Sequence, residues 1–368
     1  MLNKVSQYVN CLYNSGKMIN IIIVKIRYNM VFKYKKEFYV LFLFGFIFLS
    51  FAFGVRANPA AFLDKGVGAR PMGMGGAYTA VADDSASGYW NPAGLGKVDS
   101  IESSAMLQKL GGKMWPGLEE IGPDYQYFSI AVPLRMTTLI DKGAVSFSYI
   151  SMEIDNIPHT CDEGVIKNTF SSIDRAFILS AGYPVLNDNI SMGGSLRYIS
   201  RDLGFSGAEA SGWDAQIGKI LSLTEGLNMG FTVERGPDMR WESGRRESGE
   251  VMAKLGFGYK YVFTEELSLI SATDFIQRKE MPLKASAGGE FSYRPDFPNI
   301  PALFVRAGLN RLAIENRHGY MSKINETLRW CLGFGMEFDY FDFKMRVDYA
   351  FVKASMGSDH LLSLAALF

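Results

Sequence analysis

An alternation of period two, sustained over ten or more residues at a time, limits what this chain can fold into. From Leu328 to Tyr340, Leu328, Trp330, Leu332, Phe334, Met336, Phe338 and Tyr340 share one face, while Arg329, Cys331, Gly333, Gly335, Glu337 and Asp339 share the other. Phe343, Met345, Val347, Tyr349 and Phe351 oppose Lys344, Arg346, Asp348 and Ala350 in the same way, and Val251, Ala253, Leu255, Phe257, Tyr259, Tyr261 and Phe263 oppose Lys254, Gly256, Gly258 and Lys260. Successive side chains of a strand point to opposite faces. In a soluble sandwich the oily face would pack on a second sheet. In a membrane barrel it meets lipid, and the face of charges and small residues lines a wet lumen. The segments are longer than the usual strands of soluble sheets, and Tyr and Trp gather near their ends, as a membrane-interface girdle requires.

Drawn on periodicity alone, the segments number about fourteen, the even count of a bacterial barrel. They lie near 98–110, 124–135, 141–154, 173–184, 189–201, 210–222, 227–235, 249–263, 266–278, 283–294, 301–311, 326–340, 342–354 and 359–368. Tight connections (Val185–Asp188, Thr224–Gly226, Thr264–Glu265 and Phe341) alternate with long polar ones (Gly111–Gly122, Asn156–Ser172, Gly236–Ser248 and Leu312–Asn325). Short turns at one end and long loops at the other are the barrel pattern, short being periplasmic and long extracellular. The connections around Met136–Lys142 and Pro295–Ile300 are intermediate. The expected fold is therefore all-β, a transmembrane antiparallel β-barrel over 97–368.

Composition agrees: aromatic residues make up 14% of the chain and Gly numbers 38, which suits a β-rich protein with many turns. Residues 1–57 carry Lys4, Lys17, Lys25, Arg27, Lys33, Lys35, Lys36 and Arg56 against Glu37, so the remainder is acidic, with a net charge of −7. That balance excludes nucleic acid as a partner class. Cys11, Cys161 and Cys331 lie far apart with no metal-like spacing, and no cofactor or metal is expected. Lys33, Lys35 and Lys36 precede an oily run ending in Val55-Arg56-Ala57, which reads as a signal peptide cut after Ala57, with a true start at Met30. A spanning helix is the competing reading of that run.

Between leader and barrel lies a compact small-residue module, 58–96. Its core, Phe62 to Gly96, reads FLDKGVGARPMGMGGAYTAVADDSASGYWNPAGLG. On Gly68, Arg70, Gly73, Met74, Gly75, Gly76, Asp83, Asp84, Trp90, Asn91, Pro92, Ala93 and Gly94, this stretch resembles the N-terminal signature of PorV/PorQ-like outer-membrane proteins. These are relatives of the FadL-like long-chain fatty acid transporters. The resemblance covers about a tenth of the chain. It implies a fourteen-stranded barrel with an N-terminal plug inside, in the outer membrane of a Gram-negative-type bacterium. Gly and Ala permit the close approach to the wall that such a plug needs. Asn91-Pro92 has the form of a helix cap followed by a first helical residue. Asp83 and Asp84 are expected to cap a turn, to pair with lumen cations such as Arg197, Lys254 or Arg346, or to stand solvated.

Nothing in the chain has the spacing of a catalytic constellation. His159, His318 and His360 fall in or beside expected loops, with Asp155 and Asp359 near in sequence, but no GxSxG element accompanies them. A hydrolase at the rim is the remote reading, and no catalytic residue is expected. Met114, Trp115, Met239 and Trp241 in the long loops are candidates for contact with an oily ligand or a partner protein. The terminal Phe368 resembles the signal by which the outer-membrane assembly machinery recognises its clients. Outer-membrane lipids and that machinery are the expected partners. Two functions follow from the resemblance. The PorV/PorQ form implies handling of exported proteins at the cell surface, as in a type IX secretion shuttle. The FadL-like kinship implies passive uptake of hydrophobic small molecules, with the plug as the gate.

Overall fold

The computed structural model describes residues 59–111, 124–136, 141–160, 166–185, 189–204, 208–279, 281–297, 300–313, 329–340, 343–354 and 357–368. The leader, Met114, Trp115 and His318 lie outside them, as do almost all of the first and last long connections. Among the described residues the strands are β1 (Glu102–Gly111), β2 (Asp124–Pro133), β3 (Ala144–Thr160), β4 (Ile166–Val185), β5 (Ile190–Asp202), β6 (Glu209–Thr224) and β7 (Leu227–Trp241). They continue with β8 (Arg246–Ser248), β9 (Val251–Val262), β10 (Leu267–Arg278), β11 (Lys284–Tyr293), β12 (Ala302–Ala313), β13 (Arg329–Tyr340), β14 (Phe343–Ala354) and β15 (Gly357–Leu367). The three-residue β8 only folds back on β7. The other fourteen pair antiparallel in chain order and close where β1 meets β15, from Glu102↔Leu367 to Gly111↔Ser358. No helix among the described residues is long and apolar enough to cross a membrane. A closed barrel crosses with strands, because every backbone group finds its partner on a neighbour.

Each of the fourteen expected segments falls on a barrel strand. The faces divide as the period demands: Trp330, Leu332 and Phe334 are exposed, while Cys331, Gly333 and Gly335 are buried toward the lumen. Two connections differ from expectation. β3 and β4 run on through most of 156–172, and β7 with β8 takes up much of 236–248. Beyond the lipid belt the outward face is no longer oily, so the alternation fades while the hydrogen-bond ladder continues. A bulge between Ile154 and Ile157, with Asn156 at φ 58°, further breaks the alternation in β3.

Aromatic rings form two bands on the outer face. Toward the long-connection end, Tyr149, Phe177, Tyr198 and Trp213 meet in sequence across β3–β6, and Trp330 meets Phe351 at 5.2 Å. Toward the short-turn end, Tyr261 packs edge-on to Phe263, and the terminal Phe368 stacks on Phe343 at 5.5 Å. The run from Phe343 to Phe351 on β14 spans roughly 20 Å along the barrel axis at the usual rise and tilt, close to the apolar band of such barrels. The backbone N–H of Phe368 donates to Ile101 O, fastening the last residue at the seam between first and last strands.

Candidate functional site

The lumen is occupied by the small-residue module. It is built of single turns: a 3-10 turn Ala61–Lys65, one helical turn Ala69–Gly73, a second Ser87–Trp90, and a 3-10 turn Pro92–Lys97 that leads into β1. The last begins as the sequence suggests, since Asn91 Oδ1 accepts the Ala93 N–H at 3.1 Å with Pro92 at the first helical position. Elements this short owe their stability to what surrounds them rather than to propensity.

Glycines on the wall face glycines and backbone of the plug. A side chain on Gly218 would run into Asn91, one on Gly230 into the Thr79 carbonyl, one on Gly288 into Met74, and one on Gly333 to within 3.1 Å of Gly73 Cα. Gly75 has both constraints at once: φ is +68°, and a Cβ there would lie 2.6 Å from Leu309 O. Polar side chains of the wall then pin the plug's main chain. Asp274 Oδ2 accepts the N–H groups of Tyr78 and Thr79, each at 3.0 Å, and the Thr79 hydroxyl at 2.7 Å. Ser363 Oγ accepts the Ala69 N–H at 2.9 Å, Asn310 Nδ2 donates to Gly75 O at 2.7 Å, and Ser195 Oγ donates to Gly88 O at 2.9 Å. Buried irregular backbone must find such partners.

A charge network ties the plug to β1 and β11–β14. Arg70 Nε donates to Glu290 at 2.9 Å, and its Nη1 donates to Asp83 at 2.6 Å and to the Tyr78 hydroxyl at 2.8 Å. Glu290 also accepts from Arg306 at 2.6 Å, Arg306 donates to Asp348 at 2.7 Å, and Arg346 donates to Asp348 at 3.1 Å. Burial penalises the Arg70 charge, but Asp83 and Glu290 outweigh the penalty and hold its pKa well above the ordinary arginine value. Enclosure likewise pushes the Asp83 carboxyl up, and Arg70 with Lys97 more than reverses this, leaving it below the usual carboxylate range. Tyr78 Oη donates to Asp84 at 2.6 Å; burial first, and the nearby carboxylates with it, raise its phenol well above the normal range. Buried ion networks add little net stability, but breaking one leaves a stranded charge. Here they fix where the plug sits.

The lumen differs at its two ends. Toward the long connections Met106, Ile199, Met239, Val352 and Leu361 form one apolar cluster with Phe62 and Leu63 of the plug. Toward the short turns a chamber of about 760 Å³ opens, lined by Arg70, Asp83, Glu102, Glu337 and Arg346 among others. The cluster is closely packed, and ion pairs stand at the same end, Arg278 with Asp64 at 2.8 Å and Arg201 with Asp174 at 2.6 Å.

No family model matches this sequence, and no curated protein does. Solved structures do share its fold. The Ralstonia pickettii toluene transporter TbuX matches with a TM-score of 0.53 at 13% identity, over 82% of this chain and 97% of that one. A deletion mutant of the monoaromatic hydrocarbon channel TodX matches with a TM-score of 0.50 at 13% identity, over 82% of this chain and 98% of that one. At such identity the likeness is one of fold: this chain is a β-barrel built like these hydrophobic-compound transporters.

Gly68, Arg70, Gly73, Met74, Gly75, Gly76, Asp84, Trp90, Asn91, Pro92, Ala93 and Gly94 are brought together inside the barrel, with Asp83 reaching the chamber. The partner of Asp83 and Asp84 is Arg70 rather than Arg197 or Lys254, and only Arg346 among the expected cations reaches Asp84, at 3.7 Å. Arg197 pairs with Glu234 at 2.7 Å, and Lys254 sits over the Trp90 ring. Asp84 also caps, accepting the Ala86 N–H at 3.1 Å. Met239 and Trp241 are not loop residues: both lie on β7, Met239 is 1% exposed, and Trp241 packs against the apolar cluster. His159 bonds Asn168 at the rim, and Asp155 accepts from Ser171. Asp359 and His360 are adjacent in β15 and so point to opposite faces. Asp274, Glu290 and Arg306 were missed, although each is a charge on the inward parity of an otherwise oily-faced strand.

Proposed function

We propose that this protein is an outer-membrane channel for passive passage of hydrophobic small molecules. The observation that carries the reading is an apolar cluster shared by the wall and a wall-pinned plug, in a barrel of the fold shared with solved transporters of hydrophobic compounds. An oily solute arriving at the long-connection end reaches the cluster around Met239 and Leu361 where Phe62 and Leu63 of the plug give way, and gains roughly 25 cal/mol per Å² of apolar surface removed from water. The plug stands between that cluster and the charged chamber, so onward passage requires it to shift. No bond is made or broken, and no cofactor takes part. The protein-handling reading rests on the signature in 62–96 alone, and the solved transporters favour the channel.

The test is uptake of radiolabelled toluene and of a long-chain fatty acid by intact cells, whose lipopolysaccharide layer slows oily solutes. Expression of this barrel is expected to accelerate entry of at least one, with no change for glycerol. Equal uptake with and without the barrel, together with a stoichiometric secreted protein on detergent pull-down, would reverse the choice between the two readings.

A further inference from the structure

The outer face carries a polar cluster that lumen traffic does not explain. His360 points outward from β15, where the neighbours in a barrel are acyl chains and headgroups. Its Nδ1 is 2.7 Å from the Tyr349 hydroxyl, and Phe351 packs edge-on to its ring at 5.3 Å. With the tyrosine donating to Nδ1, the ring is held as the tautomer that presents an Nε2–H donor to the outside. Lys109 on β1 lies directly opposite His360 in register, and its side chain is 87% exposed. Lys353, exposed and outward on β14, flanks the other side, one outward step beyond Phe351, which is itself paired with His360. The two lysines stand two strands and two residues apart, roughly 12 Å, and their long stems can bring both ammonium groups to one point above the histidine. On the other side of Lys109, Asp124 stands 4.0 Å from it, and Glu153 on β3 lies opposite Asp124 in register. Among the described outward residues the acids thus begin at β2, and farther round the wall Arg175 and Glu209 mix both signs, so the basic character belongs to the β14–β15–β1 seam.

We infer that Lys109, Lys353 and His360 form a binding site for the phosphate of an anionic lipid headgroup in the leaflet at the long-connection end. Cations at the rim of an apolar belt lose water, and a lipid phosphate replaces it with charge and acceptor oxygens. The aromatic floor of Trp330, Phe351 and Tyr349 supports the glycerol and upper acyl region, as interfacial rings do. The site requires only that the outer face meet lipid, so it stands or falls separately from what the lumen passes.

The experiment is native mass spectrometry of the full barrel in detergent, with phosphatidylglycerol and phosphatidylcholine offered at equal concentration. The barrel is expected to retain the anionic lipid about tenfold over the zwitterionic one. Lys109→Gln/Lys353→Gln brings the two to parity, His360→Gln lowers the preference, and Arg175→Gln on β4 leaves it unchanged. Heat-modifiable gel mobility certifies that each variant is folded, and the single lysine variants serve if the double one is not. Equal retention of both lipids by the unaltered barrel overturns the proposal. So does an undiminished preference in folded lysine variants, or displacement of the lipid by millimolar inorganic phosphate.

Discussion

Asp274 shows what one residue does for the plug. Its carboxylate gathers two main-chain N–H groups and a hydroxyl from Tyr78 and Thr79, none of which has another route to a charged acceptor. Hydrogen bonds to a charged group contribute about 1.5–3 kcal/mol each, and stranded donors forfeit them. Asp274→Ala is expected to speed amide exchange at Tyr78 and Thr79 by about 100-fold, measured by hydrogen–deuterium exchange; unchanged protection would show that the wall does not hold this turn. Asp83 sets the acid limit of the seat. Its pKa is lowered in the folded state, so its contribution is complete above the ordinary carboxylate range and is lost as pH falls through the lowered value. The share of plug protection that Asp83 supplies, read as the difference between the unaltered barrel and Asp83→Asn and corrected for intrinsic exchange, is therefore expected to stay flat from about pH 8 to 5 and to fail only in stronger acid. A loss near neutral pH would assign the latch to another group. Asn91-Pro92 was legible as a cap from two adjacent residues. The Arg70–Glu290 and Thr79–Asp274 partnerships were not, because each joins residues some 200 positions apart that meet only when the barrel closes.

At the scale of elements, the strands were legible wherever one face meets lipid and the other does not. The same rule explains the misses. The upper parts of β3, β4 and β7 have no oily outward face, so their ladder leaves little periodic mark, and Met239 and Trp241, which read as loop residues in the sequence, lie on the inward face of β7. The plug was legible as a module from its density of Gly and Ala, while its path was not, since that depends on which wall positions are Gly. Gly218, Gly230, Gly288 and Gly333 supply the space it needs. Wall and plug are thus separable elements. The barrel's own strand pairing is complete without the plug, from β1–β15 round to β6–β7. Deleting residues 59–97 is expected to leave a heat-modifiable barrel whose conductance in a planar bilayer rises about tenfold or more, as an emptied lumen becomes a water-filled channel. A deletion variant that folds but conducts no better would mean that the lumen is closed elsewhere.

At the scale of the whole molecule, an oily exterior between two aromatic bands surrounds a lumen with a packed apolar cluster toward one end and an open charged chamber at the other, with the plug between them. With passage of hydrophobic solutes as the proposed function, that plug is their gate. Ser85 of the plug and Ser104 of β1 bring their hydroxyl oxygens within 3.0 Å, a position where paired cysteines can close a disulfide. The direct measurement is uptake of a radiolabelled hydrophobic solute by cells bearing the Ser85→Cys/Ser104→Cys barrel, before and after a membrane-permeant reductant. The oxidised barrel is expected to pass nothing above the empty-vector rate, with uptake restored on reduction. Undiminished uptake through the locked barrel would contradict the gate and place the solute's route outside the plug.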